Sequence, residues 1–294
     1  MLALSLVLGV LSAVAYGCST AVQHAAVYDS SGRSDARGLL QLLRNPRWLL
    51  SIGGDGVGLV LQVIALSTGP VVLIQPLQVL SLPVAMPIRA RLGGPKPTAR
   101  DWGAVVAVVV GLGLFLLLVG DPGDPRKHHA KATLLVAAGG IVLAAVVALA
   151  ALAAAARVRA VVFGALGGML FAVVAVLIDE TSSVVGGDGV AALWHGRGSL
   201  LLLSVVVAGA LGMTLTQAAF QIGGLGAAYP TNVVVDPVLS VVLGAALLGE
   251  RLPLDPLHVV GYLLALAVIA TGTIGLANPR GAPTARPTEG HSSS

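Results

Sequence analysis

Apolar residues recur in runs about as long as a bilayer is thick, and polar residues gather in the short gaps between them. Nine such runs cover 3–26, 48–68, 70–90, 102–119, 132–156, 159–178, 199–222, 226–248 and 257–277. A hydrocarbon core about 30 Å thick needs roughly 20 helical residues at about 1.5 Å each. Where water is absent, a helix also satisfies its own backbone hydrogen bonds. The pattern therefore predicts an all-α polytopic membrane protein with about nine transmembrane helices, the first of them a retained span rather than a signal peptide. The shortest gap, Thr68-Gly69-Pro70, reads as a hairpin turn. Residues 279–294 have nothing apolar to bury and are expected to form a disordered tail.

Composition narrows the class further. With 56% hydrophobic and 10% charged residues, the chain is unlike a soluble domain. Of 17 Lys and Arg residues, 12 fall in 27–47, 89–101, 157–159 and the tail, and 5 fall in the gaps on the other side. The positive-inside rule then places the C-terminus in the cytoplasm and, with nine spans, the N-terminus outside. This is the charge pattern of a multi-pass cell-membrane protein whose partner is the lipid bilayer, and no nucleic-acid surface is expected. The lone Cys18 excludes an internal disulfide and a multi-cysteine metal site.

The two halves echo each other. Leu8-Gly9 is answered by Phe163-Gly164 and Gln62 by Gln217, both at an offset of 155 residues. Gln75-Pro76 is answered by Asp236-Pro237, the prolines 161 apart. These matches predict a four-helix repeat in 1–119, a linking transmembrane helix at 132–156 and a second four-helix repeat in 159–278. With one span between them, the halves would cross the membrane in opposite senses. Such inverted repeats (4 + 1 + 4) allow a central site to open alternately to either side.

Polar groups within the apolar runs are the candidates for chemistry. Asp55 lies about 12 Å into the second run, near mid-membrane, and Gln62 shares its face seven residues on. Asp236 lies near the middle of the eighth run, with Asn232 one turn before it. An aspartate at mid-helix costs roughly 2.5–3.5 kcal/mol facing lipid, so both acids should face the bundle interior. There a carboxylate can bind a cation, pair with a basic solute or carry a proton. Pro76 and Pro237 each remove a backbone donor and are expected to break their helices near the site. Gln75 and Gln78, and Gln217 and Gln221, form same-face amide pairs that suit a polar solute. Asp179, Glu180 and Asp188, with His128, His129 and His195, read as solvated loop residues. Glu250 is expected to pair locally with Arg251 or a neighbouring loop.

Several segments together carry a family resemblance. They are Leu61-Gln62-Val63-Ile64-Ala65-Leu66, Gly69-Pro70 and Val72-Leu73-Ile74-Gln75-Pro76 in the first half. In the second half they are Gln217-Ala218-Ala219-Phe220-Gln221, Val235-Asp236-Pro237-Val238 and Leu248-Gly249-Glu250-Arg251-Leu252. Over about residues 3–278 the chain resembles the drug/metabolite transporter superfamily, in particular its actinobacterial EamA-like membrane branch. The resemblance implies inverted repeats, a central cavity and secondary transport, often coupled to protons or exchange. Members typically have ten helices, and this chain lacks a short second helix in 30–47. In that respect it is similar to the distant NIPA-type magnesium transporters, which have nine. Where that group carries an acid late in its second helix, this chain has Leu59 or Gln62, with Asp55 about a turn earlier.

The expected function is a secondary transporter that moves a small polar or cationic metabolite or drug by alternating access, with proton coupling as one form. Asp55 and Asp236 would hold solute or proton, lined by Gln62, Gln75, Gln217, Gln221 and Asn232. A magnesium or other divalent-cation transporter is the second reading, and a non-transporting scaffold or accessory subunit is the third. An integral-membrane enzyme is disfavoured, since no hydrolase elbow or phosphate-binding Gly-Lys loop is present. No cofactor or dedicated metal site is expected. Oligomeric state is not legible, because one copy holds both halves.

Overall fold

The computed structural model describes residues 2–29, 46–93, 96–120, 122 and 129–277, and their regular structure is helical. In chain order the helices are α1 (Leu2–Asp29), α2 (Pro46–Thr68), α3 (Val71–Leu77), α4 (Ser81–Arg91) and α5 (Ala99–Val119). They continue with α6 (Ala130–Ala151), α7 (Ala156–Asp188), α8 (Gly196–Leu243) and α9 (Pro256–Ala277). A 3₁₀ turn, Gln78–Leu80, joins α3 to α4, and together they make one crossing, Val71–Arg91. Among the described residues, eight helical stretches are long and apolar enough to span a bilayer, and Val234–Leu248 adds a shorter apolar one. The tail from 279 and the side chain of Gln221 lie outside the described residues.

Residues Gly196–Leu243 are assigned to one helical run, α8, where two separate helices were expected. The helix nevertheless doubles back. Asn232 Nδ2 donates to Thr216 Oγ1 at 3.0 Å, although the two are 16 residues apart, which in a straight helix would be about 24 Å. The chain therefore reverses between these positions and leaves two arms side by side, Gly196–Ala219 and Val234–Leu248. At Pro237 the chain stays helical, and the assignment continues to Leu243. Gly168 of α7 brings its backbone against Asn232 and Asp236, and a helix held by neighbours at membrane depth tolerates an interior proline. Pro76 does precede a change in winding, the 3₁₀ turn that begins two residues later.

Close approaches fix the direction of each helix. Ser12 Oγ donates to the Gly58 carbonyl at 2.8 Å, and Ser19 Oγ to the Ser51 carbonyl, so α1 and α2 are antiparallel. Gly9 lies on Leu77 and Gly17 on Val84, so α1 is parallel to α3 and α4. Ala130 and Ala137 cluster with Val173 and Leu177, whereas Ala144 and Ala151 cluster with Ala160 and Phe163, which makes α6 and α7 antiparallel. Gly209 meets Val174 and Gly212 meets Phe171, whereas Gly164 and Gly168 meet Asn232. The first arm of α8 thus opposes α7 and the second arm follows it. Gly111 on Ile269 and Gly272 on Ala104 pair α5 antiparallel with α9. Lipid tails are as apolar as leucine, so association depends on such small-residue contacts rather than on hydrophobic burial.

One face of the bundle is described at most of its corners and is called here the Pro70 face. Ser5 at the start of α1 packs on Gly69. Leu248 after α8 is buried with Val71, Ile74, Ala175, Val176 and Ile178. The backbone N–H of Arg251 donates to the Pro122 carbonyl at 3.0 Å. Helix α1 starts at this face and α7 ends there, so the two cross in opposite directions.

Sequence also encodes the opposite end of α5. Thr98 Oγ1 accepts from the Asp101 N–H at 3.3 Å, and Asp101 Oδ2 accepts from the Thr98 N–H at 2.7 Å, a reciprocal capping box. Thr98→Ala is expected to cost about 1 kcal/mol, measurable as earlier unfolding in a denaturing-detergent titration.

Candidate solute site

The first turns of chemistry come from a polar stripe on α1. Ser12, Tyr16 and Ser19 are spaced i, i+4, i+7 and all face α2. The Tyr16 ring lies over Gly58, where a Cβ would stand 3.0 Å from Cδ1. A helical side chain leans toward its N-terminus, and this carries the Tyr16 hydroxyl to Gln62, whose Oε1 accepts its hydrogen bond at 3.0 Å. Asp55 of α2 and Asp236 of α8 both lie within electrostatic reach of that hydroxyl. Three predicted site residues, Asp55, Gln62 and Asp236, thus converge on a fourth that sequence reasoning passed over. Its spacing with the two serines was the available signal.

Asp236 is positioned from two sides. Its Oδ1 accepts from Ser240 Oγ one turn on, at 3.1 Å. At Gly168 a Cβ would fall 3.1 Å from the Asp236 nitrogen and 2.6 Å from the Asn232 carbonyl oxygen, so α7 and α8 meet backbone to backbone. The Asp236 side chain is half-buried. A carboxylate in such a low-dielectric interior can hold a proton or a cationic group.

The other predicted residues take different places. Asn232 is buried, and its amide donates to the Gly164 carbonyl at 3.3 Å and to Thr216 Oγ1, so it ties both arms of α8 to α7. Gln217 is half-buried, with its amide 4.0 Å from Met213 Sδ on its own helix. Gln75 is buried on α3, the repeat counterpart of Asp236 in sequence. Its Oε1, and both polar atoms of Gln78, have no hydrogen-bond partner among the described residues. Such amides are costly inside a bilayer until a polar group meets them.

Two expectations for acidic residues are corrected. Asp179 and Glu180 are buried within α7 instead of lying in a solvated loop. The helix extends to Asp188 because the Thr181 and Ser182 hydroxyls bond back to the Leu177 and Ile178 carbonyls, which absorbs two polar groups into the helix. Glu250 does not pair with Arg251. Its oxygens accept from the Val71 and Val72 backbone N–H groups. Asp188, His129 and His195 are exposed. Among the described residues, no three His, Cys, Asp or Glu side chains are grouped to hold a metal ion.

Fold and sequence together define a polytopic, helical membrane protein. The chain is similar to an uncharacterized protein of Corynebacterium glutamicum, with 26% identity over 284 residues that cover 93% of this chain and 94% of that one. No protein-family profile matches the chain. No solved structure matches it either.

Proposed function

We propose that the protein is a secondary transporter of the drug/metabolite transporter type, moving a small polar or cationic solute by alternating access between two inverted four-helix repeats. The observation that carries this reading is the convergence at Tyr16. Charge from the first half (Asp55) and charge from the second (Asp236) reach the same hydroxyl, as a site shared between two moving halves requires. Helix directions support the repeat. In the first half α1 opposes α2 and follows α3, and in the second α7 opposes the first arm of α8 and follows the second. Tyr16 over Gly58 has a counterpart in Phe171 over Gly212, with the rings 155 positions apart. The linking span is α6.

Within this reading the carboxylates hold a proton or the cationic part of the solute in turn, and Gln62, Gln75 and Gln78 offer amides to its polar groups. The loops richer in Lys and Arg are cytoplasmic, so the Pro70 face is extracellular. Purified protein in proteoliposomes tests the proposal. With an imposed pH gradient, members of a panel of small amines and uncharged polar solutes should move down that gradient faster than through empty liposomes. Folded, correctly inserted protein that moves none of them, with or without a gradient, overturns the transport reading in favour of a scaffold. Saturable magnesium flux with no organic flux would transfer the site to a divalent cation.

A further inference from the structure

At the Pro70 face the end of α8 is shaped to deliver one side chain. The helix closes in a π turn, Gly244–Leu248, and Gly249 then turns the chain at φ 70°, a left-handed conformation that glycine adopts without strain. This aims the next residue, Glu250, back into the bundle. Its Oε1 accepts from the Val71 N–H at 2.6 Å and its Oε2 from the Val72 N–H at 2.9 Å. These are the first two N–H groups of α3, a helix with no side-chain cap of its own. A carboxyl group there brings its oxygens to two orphan donors of the helix. Room for it depends on Gly244, where a Cβ would stand 2.5 Å from Glu250 Oε2. Leu248, two residues earlier, is buried among Val71 and Ile74 of α3 and Ala175, Val176 and Ile178 of α7.

We propose that Glu250 is a clasp that ties the loop after α8 to the first turn of α3 and so holds the Pro70 face of the bundle shut. The clasp joins the two halves, its carboxyl comes from a loop outside the spanning segments, and it is distinct from the convergence at Tyr16. It goes beyond the transport reading and does not depend on the solute.

The clasp is also sensitive to pH. Burial pushes the Glu250 carboxyl up from 4.5 to about 7, against the opposing pull of the Val72 and Val71 N–H groups. Among the described residues, the charged groups facing it come from α7, where Asp179 lies within electrostatic reach of both Glu250 and Glu180. From α3 it meets only backbone N–H groups. Arg251 is exposed, and Asp255 and His258 at the start of α9 pair with each other. The shut state therefore holds a proton more tightly than an open state with Glu250 in water. Closure is fully favoured below the ordinary carboxylate range and weakens as pH rises through about 7.

Cysteine labelling tests this in proteoliposomes of the full chain carrying Cys18→Ala. Ile74→Cys reports from beneath the clasp, and Leu254→Cys, an exposed position on the same face, corrects for the pH dependence of thiol reactivity. A membrane-impermeant maleimide is the probe, and the ratio of the two labelling rates is the readout. With Glu250 intact the ratio should be low near about pH 5 and rise by more than about tenfold by about pH 8, as one proton leaves. Glu250→Ala should give a high ratio at both, and Glu250→Gln a ratio independent of pH. A Glu250→Ala ratio equal to the parent's, or a Glu250→Gln protein that retains the full pH rise, overturns the clasp. Should Glu250→Ala not fold, Glu250→Gln carries the test alone. Failure here leaves solute flux through the Asp236 site untouched, and loss of flux in an Asp236 variant leaves the labelling ratio unchanged.

Discussion

Asp236→Asn should lower solute flux in proteoliposomes by more than about tenfold, because a hydrogen bond to a charged group contributes about 1.5–3 kcal/mol. The substitution is nearly isosteric. Asparagine can still accept from Ser240 Oγ, which meets Asp236 Oδ1 at 3.1 Å, so folding should survive and the missing charge is what the assay reads. Tyr16→Phe provides the graded companion. It keeps the ring over Gly58 and removes only the hydroxyl that bonds Gln62 and senses both acids, so a smaller loss is expected. A monodisperse Asp236→Asn protein with parental flux would remove Asp236 from the mechanism.

Gly168→Ala should damage the fold itself. The added methyl would be 2.6 Å from the Asn232 carbonyl oxygen and 3.1 Å from the Asp236 nitrogen. Both are backbone atoms, so no rotamer change can make room, and the second arm of α8 must move off α7. Overpacking of this kind costs about 1–3 kcal/mol and sometimes more. Gly186→Ala on the same helix is the matched control, since a Cβ there meets nothing within 4 Å. In that place alanine should be neutral or stabilising by about 0.5–1 kcal/mol, as usual for glycine inside a helix. Thermal unfolding in detergent separates the two, and a Gly168→Ala protein as stable as Gly186→Ala would show the contact to be looser than described.

Periodicity and length made the spans legible, because a helix in lipid must be apolar along nearly its whole surface and of nearly fixed length. Asp55 and Asp236 were legible for the same reason, as exceptions in otherwise apolar helices. Tyr16 was harder to see. An aromatic residue in an apolar run carries no anomaly until α2 is placed beside it with a glycine beneath the ring. Asp179 and Glu180 misled in the other direction, since adjacent acids at the end of an apolar run resemble a loop. Their burial depends on α3, on the π turn and on a carboxylate 70 or more positions later in the chain, none of which local pattern reveals. Pro237 shows a third limit. A proline predicts a lost hydrogen bond reliably, but whether the helix yields depends on the neighbour that holds it, here Gly168.

The bond between Val71 and Glu250 spans 179 residues, and this bears on how the chain is made. A ribosome must carry the chain as far as Glu250 before the third crossing receives the acceptor for its leading amides. Until then those amides have to find water or lipid headgroups, and the two acids of α7 lack their final surroundings. Assembly of this face is thus deferred until residue 250 has been made, and nascent chains released before it would leave the membrane holding a bundle that cannot seal.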